Sequence, residues 1–313
     1  MNNTTIRIGS RGSDLALWQA RWVQHQLTEL HPGVGVTIEV IKTKGDKILD
    51  SPLAKIGDKG LFTREIEEQL LAGRIDVAVH SLKDLPTVLP AGLTIGAIPE
   101  RGDVRDVFLP HPRNPVRTLL EQPAGATIAT GSLRRRSQLL HLRPDTKVLD
   151  IRGNLNTRFK RLEASDWAGT ILARAGLIRL GWEDRIGETL PADSFLPAVG
   201  QGALGVEIRS DDTATANFVQ PLTHQPTWDA TTAERSLLHA LEGGCQIPVG
   251  AFARVEHETL HLHAIVGSLD GRKIVRGSIS GRPGEAWALG NSLAGTLRRD
   301  GADEILSEIR AEQ

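Results

Sequence analysis

The sequence predicts an α/β chain in which two stretches of alternating strands and helices precede a shorter α+β region. Three observations carry this. The apolar pattern switches repeatedly between strand-like and helix-like runs over residues 6–85, and again over 127–180. The last third reads instead as one helix, three consecutive alternating runs and two closing helices. At 313 residues the chain exceeds one typical domain and can bury its cores without disulfides.

Residues 6–8 form a short strand, and a turn at 9–12 leads to Ser13 or Asp14. Either can cap a helix to residue 30 whose apolar face takes Leu17, Val23, Leu27 and Leu30. Pro32 and Gly33 stop it, and the β-branched run 36–41 is a strand. Residues 46–60 are polar, rich in Gly and Lys and without a period, which predicts a mobile loop or lid. A helix over 61–72 and a strand over 76–80 follow, and the strand runs straight into Ser81-Leu82-Lys83-Asp84-Leu85-Pro86. The second stretch places strands at 127–130, 147–151 and 170–173. Its helices begin at Gly131-Ser132, which precede Arg134, Arg135 and Arg136, and span 156–163 and 176–180. Residues 197–208 read as a Gly-rich crossing segment. The α+β region has a helix over 230–241, strands over 249–255, 260–266 and 274–279, and helices over 285–298 and 302–311.

The formal net charge is −1 and the pI about 6.8, so no global basic field points to nucleic acid or an anionic membrane. Aromatics make up 4%, with no tyrosine, too few for a base-stacking platform. No apolar run is long enough to span a bilayer and the N-terminus has no signal-peptide pattern, so a cytoplasmic location is expected.

Chemistry concentrates at two places. Arg11, Lys83, Arg134, Arg135, Arg152 and Arg158 recur at strand-to-helix junctions, the edge of an α/β layer that faces a ligand crevice. Arginines in a first helical turn oppose the helix dipole, at about 0.3–1 kcal/mol each. An anion seated between them removes that penalty, and guanidinium pairs bidentately with carboxylate or phosphate. The set therefore reads as a cleft for a polyanion rather than as scattered surface arginines. Asp84 is the acid within it: either a group that stabilises a cation or moves protons, or a turn former before Leu85-Pro86. The second place is Cys245, the one cysteine, in Leu-Glu-Gly-Gly-Cys-Gln-Ile-Pro-Val-Gly. It is either a reactive or modified thiol, left open by Gly243 and Gly244, or a small buried hydrophobe at a helix end. His257, His261 and His263 read as solvated strand residues, so no metal is expected. Gly200-Gln201-Gly202 is not a dinucleotide fingerprint.

In their order and spacing these residues resemble the hydroxymethylbilane synthase (porphobilinogen deaminase) family over nearly the whole chain. The likeness rests on Arg11 and Ser13 with Leu15-Ala16-Leu17-Trp18-Gln19, on Leu53-Ala54-Lys55 through Lys59-Gly60-Leu61-Phe62, and on Val79-His80-Ser81-Leu82-Lys83-Asp84-Leu85-Pro86. It continues in Gly131-Ser132-Leu133-Arg134-Arg135, Arg152-Gly153-Asn154, Thr157-Arg158 and Ala175-Gly176-Leu177 with Arg179-Leu180-Gly181. It closes with Pro197-Ala198-Val199-Gly200-Gln201-Gly202 and Glu242-Gly243-Gly244-Cys245-Gln246.

The resemblance implies three domains: two similar periplasmic-binding-protein-like α/β domains and a smaller C-terminal α+β domain. We place them at 1–99 with 200–220, at 105–197 and at 222–313. It implies a dipyrromethane cofactor on Cys245, made from the substrate, onto which four porphobilinogen units are added with loss of ammonia. Hydrolysis then releases the linear tetrapyrrole. It further implies that Ser81, Lys83, Asp84, Ser132, Arg134 and Arg135 hold the cofactor. Arg11, Ser13, Arg152, Arg158, Arg179 and Gln201 bind the incoming or growing chain, with Asp84, Arg11, Arg152 and Arg158 in the catalytic group. Lys55, Lys59 and Phe62 belong to the lid. A monomer is expected, with transient hand-over to the next tetrapyrrole-pathway enzyme. The competing reading is a non-catalytic two-lobed anion-binding module, which needs neither Asp84 nor Cys245. Asp14, Gly131 and Arg174 depart from the family pattern, and the sequence offers no account of Arg174.

Overall fold

The computed structural model describes residues 5–43, 63–241 and 247–312. Cys245, Lys55, Lys59, Phe62 and the 46–60 loop lie outside them.

The chain opens with β1 (Thr5–Ser10), α1 (Asp14–Leu30), β2 (Gly35–Val40), α2 (Arg64–Leu71), β3 (Val77–Ser81) and β4 (Leu93–Ala97). Ser13 caps α1 by accepting from the Ala16 amide, as its position before the apolar run predicts. After a crossing segment come β5 (Asp106–Pro110), β6 (Thr127–Ala129), α3 (Leu133–Leu142), β7 (Lys147–Leu149), α4 (Leu155–Glu163), β8 (Gly169–Ala173), α5 (Arg174–Arg179) and β9 (Glu188–Thr189). A second crossing returns the chain to β10 (Leu204–Arg209) and α6 (Thr213–Val219).

The two five-stranded sheets have the orders β2-β1-β3-β10-β4 and β7-β6-β8-β5-β9. In each, the first three strands are parallel and the fourth is antiparallel to both neighbours. That fourth strand, β5 or β10, is the one on which the chain enters from the other sheet. Residues 204–208, read above as part of a crossing segment, are thus a central strand, buried along its length. A strand covered on both faces has no alternation to read. The same holds for β5, buried throughout, which the sequence did not announce. β4 and α6 also went unanticipated, and the helix expected over 230–241 begins five residues earlier.

The crossings touch. The Gly102 amide donates to the Gly202 carbonyl at 3.2 Å, and a Cβ at Gly202 (φ +86°) would stand 2.6 Å from the Gly102 carbonyl oxygen. Only glycine meets both demands. The pair is anchored from the C-terminal region, which comprises α7 (Gln225–Ala240), the antiparallel meander β11 (Val249–Glu256), β12 (Thr259–Gly267) and β13 (Ile274–Gly281), then α8 (Ala286–Leu297) and α9 (Asp303–Glu312). Glu234 of α7, fully buried, accepts from both Nη atoms of Arg101 (2.7 and 3.1 Å), from the Gly200 amide (2.7 Å) and from the Ala253 amide (2.8 Å). One carboxylate so ties both crossings to the third sheet.

Each layer has its own core. Ile8, Leu27, Val79 and Val206 fill the first, and Phe108, Ile128, Ile171 and Phe195 the second. Leu237, Leu262, Leu293 and Leu297 fill the third. Burying each such side chain contributes about 1.5–3 kcal/mol. His261 and His263 lie on β12, where His261 Nδ1 meets the Ser280 hydroxyl at 2.8 Å.

Candidate active site

The C-terminal ends of β1 and β3 and the first turn of α1 form one wall of a cleft. The ends of β6 and β8 with α3, α4 and α5 form the other. On the first wall, Arg11, Ser13, Gln19, His80, Ser81 and Asp84 line one pocket. An adjoining pocket, sharing Leu15 and Ser81, is lined by Lys83 from the same wall and by Arg135, Arg158 and Arg179 from the other. The structure therefore brings Arg11, Ser13, Ser81, Lys83, Asp84, Arg135, Arg158 and Arg179 into one continuous depression. Ser132, Arg134, Arg152 and Gln201 stand around it without lining either pocket.

β3 ends at Ser81 and passes into a single 3-10 turn, Leu82–Asp84. That turn aims two consecutive side chains of opposite charge at the cleft: Asp84 is exposed and Lys83 half-buried. Burial pushes the Lys83 ammonium down to about 8 against the pull of Asp84, and Arg135 adds to the fall. Lys83 Nζ reaches the Gln201 side-chain oxygen at 3.5 Å.

Arg134 and Arg135 are buried at the start of α3, with Asp106 between them. Asp106 Oδ2 accepts from Arg134 Nη1 at 2.7 Å. Its Oδ1 accepts from Arg135 Nη2 (2.8 Å) and Nε (3.2 Å) and from Gln201 Nε2 (2.9 Å). Burial alone would raise the Asp106 carboxyl, but the two guanidiniums outweigh it and hold it well below the usual carboxylate range. Arg134 also donates to the Leu196 carbonyl at 2.6 Å and Arg135 to the Ile171 carbonyl at 3.0 Å. Arg134 thus faces into the protein, whereas Arg135 presents an edge to the pocket.

Arg158 donates to the Gly153 carbonyl (2.8 Å), and burial together with Arg135 lowers it to about 10. Arg152 pairs with Asp150 at 3.2 Å. Arg179 donates to the Gly202 carbonyl (2.7 Å) and lies over the Trp18 ring, 5.5 Å from its centroid; burial lowers it to about 10.

Three serines show a shared habit. Ser13 accepts from the Ala16 amide, Ser132 from the Arg135 amide and Ser81 from Gln19 Nε2 at 2.8 Å. Each hydroxyl is used as an acceptor and keeps its O–H to donate, which suits a carboxylate ligand.

Arg174, unexplained by sequence, reaches the first crossing. Its Nε lies 2.9 Å from Asp103 Oδ2 and its Nη1 donates to Thr189 at 2.8 Å. Asp14 accepts from Asn156 Nδ2, joining α1 to α4 across the cleft. Trp18 and Gln19 entered the sequence reading only as part of the family motif, without a site role, and Asp106 was given none. Asp106 left one trace, an acid heading the apolar run 107–110. Among the described residues no group of three or more His, Asp or Glu could hold a metal, and no helix is long and apolar enough to cross a membrane.

Two family models match the chain: "Porphobilinogen deaminase, dipyromethane cofactor binding domain" over residues 6–217 and "Porphobilinogen deaminase, C-terminal domain" over 228–299. The chain is 53% identical to a porphobilinogen deaminase of Chloroherpeton thalassium over 309 residues, covering 97% of this chain and 98% of the relative. It is 53% identical to that of Carboxydothermus hydrogenoformans over 305 residues, 97% of each. Among solved structures, the VFT2 domain of Bordetella pertussis BvgS aligns with 70% of this chain and 85% of its own at 13% identity and a TM-score of 0.43.

Proposed function

The chain belongs to the porphobilinogen deaminase family, and from that premise we propose how its cleft performs the family's reaction. The enzyme is a transferase that polymerises porphobilinogen, with dipyrromethane as its cofactor, in tetrapyrrole synthesis. This membership decides against a non-catalytic anion-binding module.

The donor set fits the cofactor. Dipyrromethane carries carboxylate side chains, and the pocket offers Lys83, Arg135 and the Ser81 hydroxyl together. When bound, it supplies the pyrrole terminus on which the chain is built. We assign its carboxylates to Lys83, Arg135, Ser81 and Ser132. Arg134 supports Arg135 from behind through Asp106, and Cys245 is its attachment. Arg11, Ser13, Arg158 and Arg179 take the carboxylates of incoming units, with Arg152 and Gln201 at the margin. Ammonia leaving the aminomethyl group of porphobilinogen puts positive charge on the substrate. Asp84 is an exposed carboxylate on a short, fixed turn, able to stabilise that charge and to accept the pyrrole proton.

The observation that carries this assignment is the pairing, on one turn, of a half-buried cation that lines one pocket with Arg135 and an exposed acid that lines the other with Arg11. Intact mass tests it. The purified protein should exceed its sequence mass by two pyrrole units, localised to the Cys245 peptide. A bare mass that persists after porphobilinogen is added overturns the assignment. Arg152→Leu should stall elongation, and an unchanged product pattern would remove Arg152 from the chain path.

The domain division 1–99 with 200–220, 105–197 and 222–313 is supported by the three sheets, whose strands fall within those limits. A monomer in the cytoplasm, handing its product to the enzyme that consumes it, completes the reading.

A further inference from the structure

We propose that Asp106 is a positioning residue for cofactor capture: it sets Arg135 and, through Gln201, Lys83 in the geometry that receives the primer's carboxylates. This rests on the reading of the site given above. Asp106 is wholly buried, and both of its oxygens are occupied by side chains that border the cleft. It is the first residue of β5, at the point where the chain leaves the first crossing. Gln201 lies on the second crossing and is equally buried. Its amide nitrogen donates to Asp106 and to the Val104 carbonyl at 2.7 Å, while its oxygen faces Lys83. The Arg101 Nε in turn holds the Gln201 carbonyl at 2.7 Å. A cation from each wall is thus referred to a single carboxylate fixed where the first crossing enters β5.

A counter-ion alone would only need to be negative. Asp106 also takes Arg135 in a fork, through Nε and Nη2, while Ile171 takes Nη1. This fixes the plane of the guanidinium and which edge meets the pocket. The short aspartate side chain on the end of a strand allows little movement.

The test uses the full-length chain, made without porphobilinogen and then given it, and follows growth of the covalent adduct by intact mass beside thermal melting. Asp106→Asn should melt cooperatively but form the adduct about 100-fold more slowly, the order of loss that a displacement of about 1 Å produces. Asp106→Glu restores the charge one methylene further out. Its melting should recover while adduct formation stays slow. Wild-type adduct formation in either variant, with only melting shifted, overturns the positioning role. Where neither variant folds, Gln201→Met leaves both ion pairs whole and should fold but slow capture; a wild-type rate there overturns the proposal too. Failure of the wild-type chain to form any adduct would instead overturn the underlying reading of the site.

Discussion

The two walls of the cleft stand on sheets of the same strand order, yet they present different chemistry. The first wall offers an exposed acid beside a half-buried ammonium on a single turn after β3. The second offers guanidiniums, of which Arg134 and Arg135 are sunk below the surface and braced by a carboxylate, and Arg158 and Arg179 by backbone carbonyls. On the assignment proposed above, the acid role falls to Asp84, which is open to solvent, and the second wall meets carboxylates with guanidiniums already tied to partners. The same topology serves both because each sheet ends in a strand-to-helix junction, and the residue placed there decides the rest.

Four substitutions would break or sharpen this contrast. The largest effect belongs to the responsive wall. Asp84→Asn should lower turnover by roughly 10²–10⁴-fold, with melting and primer mass unchanged. Near-normal turnover in single-turnover assays would leave the first wall without its acid role. On the braced wall the corresponding loss is in stability. Arg134 has 4% of its side chain exposed against a fully buried Asp106, and Arg134→Met should cost about 3–5 kcal/mol in urea unfolding. A midpoint within error of wild type would mean the wall is not braced at all.

The third concerns pH. The Lys83 folded value, about 8, lies below its unfolded value of 10.5, so the unfolded chain binds more protons between them. Stability of the primer-free chain should therefore rise with pH from about 8 to 10.5, and Lys83→Met should flatten that rise. An identical slope in the variant would place the titration elsewhere. The smallest effect is expected for Trp18→Leu. Removing the ring under Arg179 takes away about 0.5–1 kcal/mol, a roughly 2- to 5-fold rise in KM at unchanged kcat. A fall in kcat instead would give Trp18 a part in the chemistry.

Much of this was legible in the chain. The α1 boundary followed from Ser13 and Pro32, and the basic junctions followed from strands and helices with clear periods. Asp84 and Lys83 stood out because a charged pair ended an apolar run. What could not be read was whatever depends on burial from both sides. β5 and β10 carry no alternation, so the fourth strand of each sheet was invisible to the apolar pattern, although the family resemblance already joined 200–220 to the first domain. Asp106 was hidden for a related reason. Its partners lie 28 and 29 positions away on α3, and no local pattern says which acid a distant arginine will meet. Arg174 gained its meaning in the same way, from Asp103 in a segment whose path is purely tertiary.

The exchange of fourth strands also bears on how the protein is made. All five strands of the second sheet lie between residues 106 and 189, whereas the first sheet needs residues 204–209 between β3 and β4. On the ribosome, the earlier-synthesised sheet must wait with two strands unjoined while the later one is completed. At about 5–20 residues per second the interval is on the order of 5–20 s. During that time Ser81 lacks its partner Leu204, so a nascent chain from which residues up to about 195 have emerged would hold a finished second sheet and a first sheet still open to chaperones.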